Sequence, residues 1–226
     1  MIRAVLFDFY GTLARAVSWG PTVQEVLASH GVELNPEAQA RWRDEATDGV
    51  EHIEHSVDRA RYVAWERARL TRLTTACGVA QPEAVVEALY RAIKAFTLVA
   101  YDEVRDVLDD LRARRIVLAV CSNWDWDLTG AIEGSGLAAG LFDAVVTSAQ
   151  AGARKPHPRI YERTLDRCGG IAPQDALFVG DTWGPDVEGP RRMGMRSVQV
   201  CREGEGRPGG EGAPRITDLW GVADFL

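Results

Sequence analysis

What this chain lacks narrows it before any motif is read. Cysteine is scarce: Cys77, Cys121, Cys168 and Cys201 lie far apart, with no paired spacing. That pattern argues against a zinc site and, in a reducing compartment, against disulfides, so the four are expected to act as small buried hydrophobes. No apolar run approaches the length of a membrane span. The N-terminal Met1-Ile2-Arg3-Ala4 passes straight into a strand-like run without the regions of a secretory signal, so a cytoplasmic protein is expected. Lys and Arg never gather into a basic block and the formal net charge is −7, which argues against nucleic acid and anionic membrane surfaces as partners. An anionic small molecule would need positive charge supplied locally. The sequence contains no internal repeat and is compatible with a monomer or a homodimer.

What is present suffices for a core: 46% of the 226 residues are hydrophobic. The length suits one domain carrying a sizeable insertion. The stretch Val5-Leu6-Phe7-Asp8-Phe9-Tyr10-Gly11-Thr12-Leu13 sets the frame, because an unbroken apolar run stops at a carboxylate and then a glycine. A run without alternation is covered on both faces, as in parallel sheets, and such sheets bind ligands beyond the carboxyl ends of their strands. Asp8 stands at such an end. A turn cap is the competing reading for Asp8 taken alone.

After Leu13 the period becomes helical and is expected to remain so to about residue 97. Helices are expected over 21–30, 36–48, 56–76 and 82–96, the last with Val85, Ala88, Leu89, Ala92, Ile93 and Phe96 at three- and four-residue spacing. Three or four helices form a small bundle. From residue 102 onward strands and helices alternate. Strands are expected over 116–121, 144–147, 176–179 and 197–201, and helices over 103–112, 127–135, from Pro158 to Gly169, and 185–193. With the first strand this makes five, joined by helical crossovers. The fold class is therefore α/β, a doubly wound, Rossmann-like parallel sheet with a small α-helical bundle as cap. The core is expected from 1–15 and 98–226, and the cap from 16–97. Residues 202–214, with five glycines and two prolines, read as a surface loop, and 216–226 as a terminal helix.

Three strand ends carry polar residues at one edge: Asp8, Ser122-Asn123 and Gly180-Asp181, with Lys155 in the loop after a fourth strand. Two carboxylates, a hydroxyl and an ammonium suit phosphoryl transfer. Neighbouring carboxylates call for a cation, and Mg²⁺ held by Asp8, Asp181 and one backbone carbonyl fits. Asp8 is then a candidate nucleophile, oriented by Lys155, with Ser122 and backbone N–H groups donating to its oxygens or to the transferred group.

The chain resembles the haloacid dehalogenase superfamily of hydrolases with a helical cap inserted after the first motif. The resemblance rests on four motifs in order: Asp8-Phe9-Tyr10-Gly11-Thr12, Ser122-Asn123, Lys155-Pro156, and Gly180-Asp181 through Asp186. It implies Asp8 as nucleophile, Ser122 with Asn123 and Lys155 as the anion-binding groups, and Asp8, Asp181 and the Tyr10 carbonyl as Mg²⁺ ligands. Asp186 would stand behind these ligands or hold the ion through water. Thr12 would support the loop around Asp8, or serve as a helix N-cap. Arg43, beside Trp42, is the candidate cap residue for a substrate anion, against a reading as a solvated helix charge. Trp124, Trp126 and Trp183 are candidate pocket walls, and His157 is expected to begin a helix.

Two motifs point in different directions. Phosphatases of the superfamily carry an aspartate two residues after the nucleophile as general acid, and here Tyr10 stands there, as in the 2-haloacid dehalogenase branch. Ser122-Asn123 also suits that branch. The fourth motif keeps both acids in phosphatase spacing, whereas those dehalogenases need no metal and replace the first. The leading expectation is a Mg²⁺-dependent phosphatase of a small phosphorylated metabolite, working through an aspartyl-phosphate at Asp8. A 2-haloacid dehalogenase forming an aspartyl ester is the alternative, and a non-catalytic binding protein of the same fold a further one.

Overall fold

Side-chain direction along the first strand builds the layers. In the computed structural model, which describes residues 1–202, 212 and 214–226, β1 (Ala4–Phe7) is buried at every position. Val5 and Phe7 enter the core on one face of the sheet, and Ala4 and Leu6 the core on the other. A period-two backbone with both faces covered has no polar side, which is why the strand shows no alternation.

The chain then forms β2 (Ala14–Trp19), α1 (Val23–Ser29), α2 (Pro36–Asp44), α3 (Arg59–Ala76), α4 (Glu83–Ala92) and β3 (Phe96–Ala100). Next come α5 (Val104–Ala113), β4 (Val117–Ser122), α6 (Thr129–Gly134), β5 (Ala144–Thr147), α7 (Ser148–Ala151) and α8 (Pro158–Arg167). Last are β6 (Ala176–Gly180), α9 (Gly189–Arg192), β7 (Arg196–Val200) and β8 (Arg215–Ile216). The main sheet has the order β5-β4-β1-β6-β7-β8, and every pairing in it is parallel. β1 lies in its middle, with Phe7 in register with Val120 on one side and Val179 on the other. α5 and α6 cover one face through Val104, Leu108 and Ile132, and α8 covers the other through Ile160, Tyr161 and Leu165. The α/β expectation therefore holds.

Helices α1 to α4 bury a cluster of their own, centred on Leu27, Leu70, Leu73 and Leu89. The expected helices are present with shorter ends: Asp44 closes α2, and a 3₁₀ turn at Ile53–His55 precedes α3. Two stretches inside the expected helical segment are strands instead. β2 and β3 pair antiparallel as a separate ribbon, with a register shift between Ala16 and Ser18. Helix α4 stops at Ala92, and Phe96 begins β3 rather than ending a helix. The sequence Phe96-Thr97-Leu98-Val99 is rich in β-branched and aromatic types, and a partner strand far away in the chain decides its state.

Three smaller differences follow the same logic. The expected helix over 185–193 begins as a π turn, Trp183–Glu188. The C-terminal segment forms β8 and a 3₁₀ turn over Leu219–Phe225, not an α-helix. No helix follows Thr12, which sits in a turn leading to β2, so the N-cap reading of that residue is wrong. The loop expected over 202–214 lies mostly outside the described residues. Among the described residues no helix is long and apolar enough to cross a membrane.

Candidate active site

The register of the parallel strands gathers the polar residues. Asp8 leaves β1 with its N–H donating to Val179 O at 2.9 Å, which holds it level with the end of β6. Ser122, the last residue of β4, donates from Oγ to Asp8 Oδ1 at 2.9 Å. Lys155 Nζ donates to the same oxygen at 2.7 Å and to Asp186 Oδ1 at 2.6 Å. Asp8 Oδ2 is left outside these bonds. Lys155 is 1% exposed and Asp186 likewise 1%, so this is a buried charge cluster rather than a solvated one.

Asp8, Asp181 and Asp186 each place a carboxylate oxygen within 4.8 Å of the others. The glycines of the motifs make that closeness possible. A Cβ on Gly11 would stand 2.2 Å from Asp181 Oδ2, and Gly11 has φ +83°, a conformation side chains disfavour. A Cβ on Gly180 would stand 2.4 Å from Asp186 Cβ and Cγ. Thr182 donates its N–H to Asp186 Oδ2 at 2.9 Å and its hydroxyl to Asp181 Oδ1 at 3.1 Å. Gln199 Nε2 fixes the Asp181 carbonyl at 2.9 Å.

The electrostatics follow from three neighbouring carboxylates, two of which, Asp8 and Asp186, meet the Lys155 ammonium. Burial pushes the Asp186 carboxyl up to about 7, the charges of Asp8 and Asp181 add to the rise, and Lys155 opposes it. For Lys155, burial favours the neutral amine, but Asp186 and Asp8 outweigh it and hold the ammonium well above its ordinary value. Among the described residues Lys155 pairs with Asp8 and Asp186, and three carboxylates stand close together in a buried site. That donor set, hard oxygens converging at short range, fits a small divalent cation such as Mg²⁺. Asp8, Asp181 and Asp186 are the residues that would hold it.

Other candidates are placed differently. Asn123 Oδ1 accepts from the Lys155 N–H at 2.6 Å, and Nδ2 donates to Lys155 O at 3.1 Å and Asp48 Oδ1 at 3.0 Å. Its amide thus fixes the loop that presents Lys155. The Tyr10 ring meets Trp19 edge-on, with centroids 5.7 Å apart. Thr12 is fully buried, with its hydroxyl unpartnered and its carbonyl accepting from Arg202 Nη2 at 2.7 Å. Trp124 packs edge-on against Phe9 and Phe96. It lines a cavity of about 860 Å³ whose wall also includes Asn123, Arg154 and Arg43, the last itself exposed. Trp126 lies near Tyr62 of α3, Trp183 lies beneath the Arg191 guanidinium, and His157 caps α8.

Sequence reasoning missed two features here. Residues 49–52, between α2 and α3, strap onto the loop before Lys155: Gly49 N donates to Lys155 O, Arg154 N to Val50 O and His52 N to Gly152 O. Lys94, just after α4, pairs with Asp125, just after β4. Neither has a periodic signal, since both are contacts between irregular segments distant in sequence.

Comparison with known proteins agrees with this geometry. A family model described as a hydrolase, haloacid dehalogenase-like hydrolase, matches residues 2–194. The human haloacid dehalogenase-like hydrolase domain-containing protein 3 is 32% identical over 210 residues, covering 88% of this chain and 82% of the human one. A phosphoserine phosphatase of Thermus thermophilus is 33% identical over 172 residues, covering 73% of this chain and 64% of that enzyme. Haloacetate dehalogenase H-2 of a Moraxella strain is 27% identical over 206 residues, covering 90% and 87%. Among solved structures, a HAD phosphatase from Thermococcus onnurineus shares the fold with a TM-score of 0.63 at 21% identity, covering 100% of this chain and 98% of that one. By the matched family model and by the motifs assembled at the sheet edge, this chain belongs to the haloacid dehalogenase-like hydrolases.

Proposed function

We propose that the chain is a Mg²⁺-dependent phosphatase acting on a small phosphorylated metabolite through an aspartyl-phosphate at Asp8. The observation that carries this reading is the buried trio Asp8, Asp181 and Asp186, with the Lys155 ammonium on Asp8 and Asp186. A metal-free displacement at carbon has no use for a second carboxylate, Asp181, held beside the attacking one. When bound, the ion would offset the charge of the carboxylates and of the phosphoryl oxygens.

The chain's own residues divide the remaining work. Ser122 and Lys155 grip Asp8 Oδ1 and leave Oδ2 as the attacking atom. Attack forms the Oδ2–P bond and breaks the bond from phosphorus to the leaving oxygen, and water then attacks phosphorus, releasing phosphate and restoring Asp8. Lys155 offsets charge on the transferred group. Tyr10 supplies no carboxyl acid for the leaving oxygen, which favours esters with good leaving groups or with a proton of their own. Residues 16–97 act as a cap over the core formed by 1–15 and 98–226, their helices sharing with Asn123, Trp124 and Arg154 the wall of the cavity.

The test is turnover of a panel of phosphate esters, acyl phosphates and haloacids, with Mg²⁺ and with EDTA. Phosphate release that requires Mg²⁺ and vanishes in Asp8→Asn is the expected result. Activity on every substrate surviving that substitution would overturn the mechanism. The second reading, a 2-haloacid dehalogenase, is favoured by Tyr10 and by the Moraxella relative; halide released from 2-chloropropionate in EDTA would establish it.

A further inference from the structure

The cavity walled by Asn123, Trp124 and Arg154 holds a cation that phosphoryl transfer does not use. Its wall holds Asn123 and Arg154, which neighbour Ser122 and Lys155 in the chain, and Asn123 bonds the Lys155 backbone at 2.6 and 3.1 Å, so the cavity shares its wall with the loops that carry both groups gripping Asp8. Trp42, Tyr62, Phe96 and Trp124 supply flat apolar surface. Its other cations are engaged or exposed. Arg69 is paired with Glu66 at 2.6 Å and Glu45 at 3.1 Å, Lys94 is paired with Asp125, and Arg43 is exposed at the edge.

Arg154 is different. Its backbone is pinned by the bond from its N–H to Val50 O at 3.0 Å. Its Nε is buried without a hydrogen-bond partner, and among the described residues its guanidinium has no ion pair. The carboxylates whose charge bears on it, Asp48 and Glu66, are held elsewhere, by Asn123 Nδ2 at 3.0 Å and Arg69 at 2.6 Å. Asp127, also in the wall, accepts from the Gly130 N–H at 3.4 Å. A half-buried guanidinium with donors to spare is costly unless something anionic completes it, and a planar carboxylate matches its fork.

We propose that Arg154 is a specificity-determining residue that receives a carboxylate carried by the substrate's leaving group. The substrate class is then the monophosphate ester of a hydroxy acid or phenolic acid. Its phosphoryl group lies against Asp8 and Lys155, its carboxylate against Arg154, and its apolar body between the aromatic walls. The phosphate-ester part of this assignment rests on the function proposed above, while the carboxylate part stands on the cavity.

The experiment is calorimetric titration of two ligands inert to hydrolysis, benzylphosphonate and 4-carboxybenzylphosphonate, in Mg²⁺. They are titrated into the wild type, Arg154→Met and Arg154→Lys, with thermal unfolding of each variant as a check on folding. The wild type is expected to bind the carboxylated ligand about 10–100-fold more tightly, the range for hydrogen bonds between charged groups. Arg154→Met erases that preference, weakening benzylphosphonate by less than about threefold, and Arg154→Lys keeps part of it. Equal affinity of the wild type for the two ligands overturns the proposal. So does no binding of 4-carboxybenzylphosphonate, a preference that survives Arg154→Met, or an equal weakening of both ligands. Should Arg154→Met fail to fold, the wild-type preference and its reduction in Arg154→Lys decide. Phenyl phosphate and 2-chloropropionate turnover, run in parallel, separates the two readings: absent phosphatase activity with the Arg154-dependent preference intact rejects the reaction and keeps the carboxylate site.

Discussion

Lys155 concentrates the energetics of the site in one side chain. It is the ammonium that meets both Asp8 and Asp186, and removing one member of a buried ion cluster leaves the others uncompensated. Lys155→Met is expected to cost about 3–5 kcal/mol in urea unfolding measured in EDTA, and to abolish turnover. His52 offers a second residue-scale test. It is 6% exposed and stacked on Trp65 with centroids 5.1 Å apart, and burial first, then the charge of Arg154, lowers its pKa to about 4. Between pH 6.5 and 4 the unfolded chain therefore binds a proton that the folded one refuses, so stability falls as pH drops through that window. The loss is up to about 3 kcal/mol, and His52→Phe should flatten the pH dependence of urea midpoints between pH 7 and 4.5. Asp8 and the groups around it were legible in the sequence because each ends an apolar run or stands beside a glycine or proline. Arg154 and the role of Asn123 were not, since their meaning lies in what the facing chain leaves unpaired or holds.

At the scale of elements, amphipathic spacing located every helix of the bundle, because a one-sided apolar stripe is a local property. It failed where pairing is nonlocal. Ala14–Trp19 and Phe96–Ala100 become strands because each is the other's partner across the whole inserted segment, and neither stretch announces that by itself. The helices meet around Leu89, which is fully buried among α1, α3 and α4. Leu89→Ala should cost about 2–5 kcal/mol in chemical unfolding. A loss much below that range would show that the helical cluster relaxes around the void. The strap of residues 49–52 onto 152–155 ties this cluster to the loop bearing Lys155, so packing changes in the helices have a route to the site.

At the scale of the whole molecule, a cation bound by Asp8, Asp181 and Asp186 would join β1 to β6 and the turn after it, and so stabilise the folded state alone. Mg²⁺ at about a hundred times its dissociation constant should contribute about 2.7 kcal/mol, which for a chain of this size raises the melting temperature by about 5–10 °C. Asp181→Asn should abolish most of that rise in a thermal scan with and without the ion. A melting temperature indifferent to Mg²⁺ in the unaltered protein would count against the metal. The sequence by itself determined the α/β class, the parallel sheet and the carboxylates at its edge, because burial on both faces and strand-end chemistry are written in local pattern. The tertiary structure alone decided the β2–β3 ribbon, the strap beside Lys155 and the aromatic cavity with Arg154, whose guanidinium has no ion pair among the described residues. Those depend on which distant surfaces meet, and no local period encodes a meeting of surfaces.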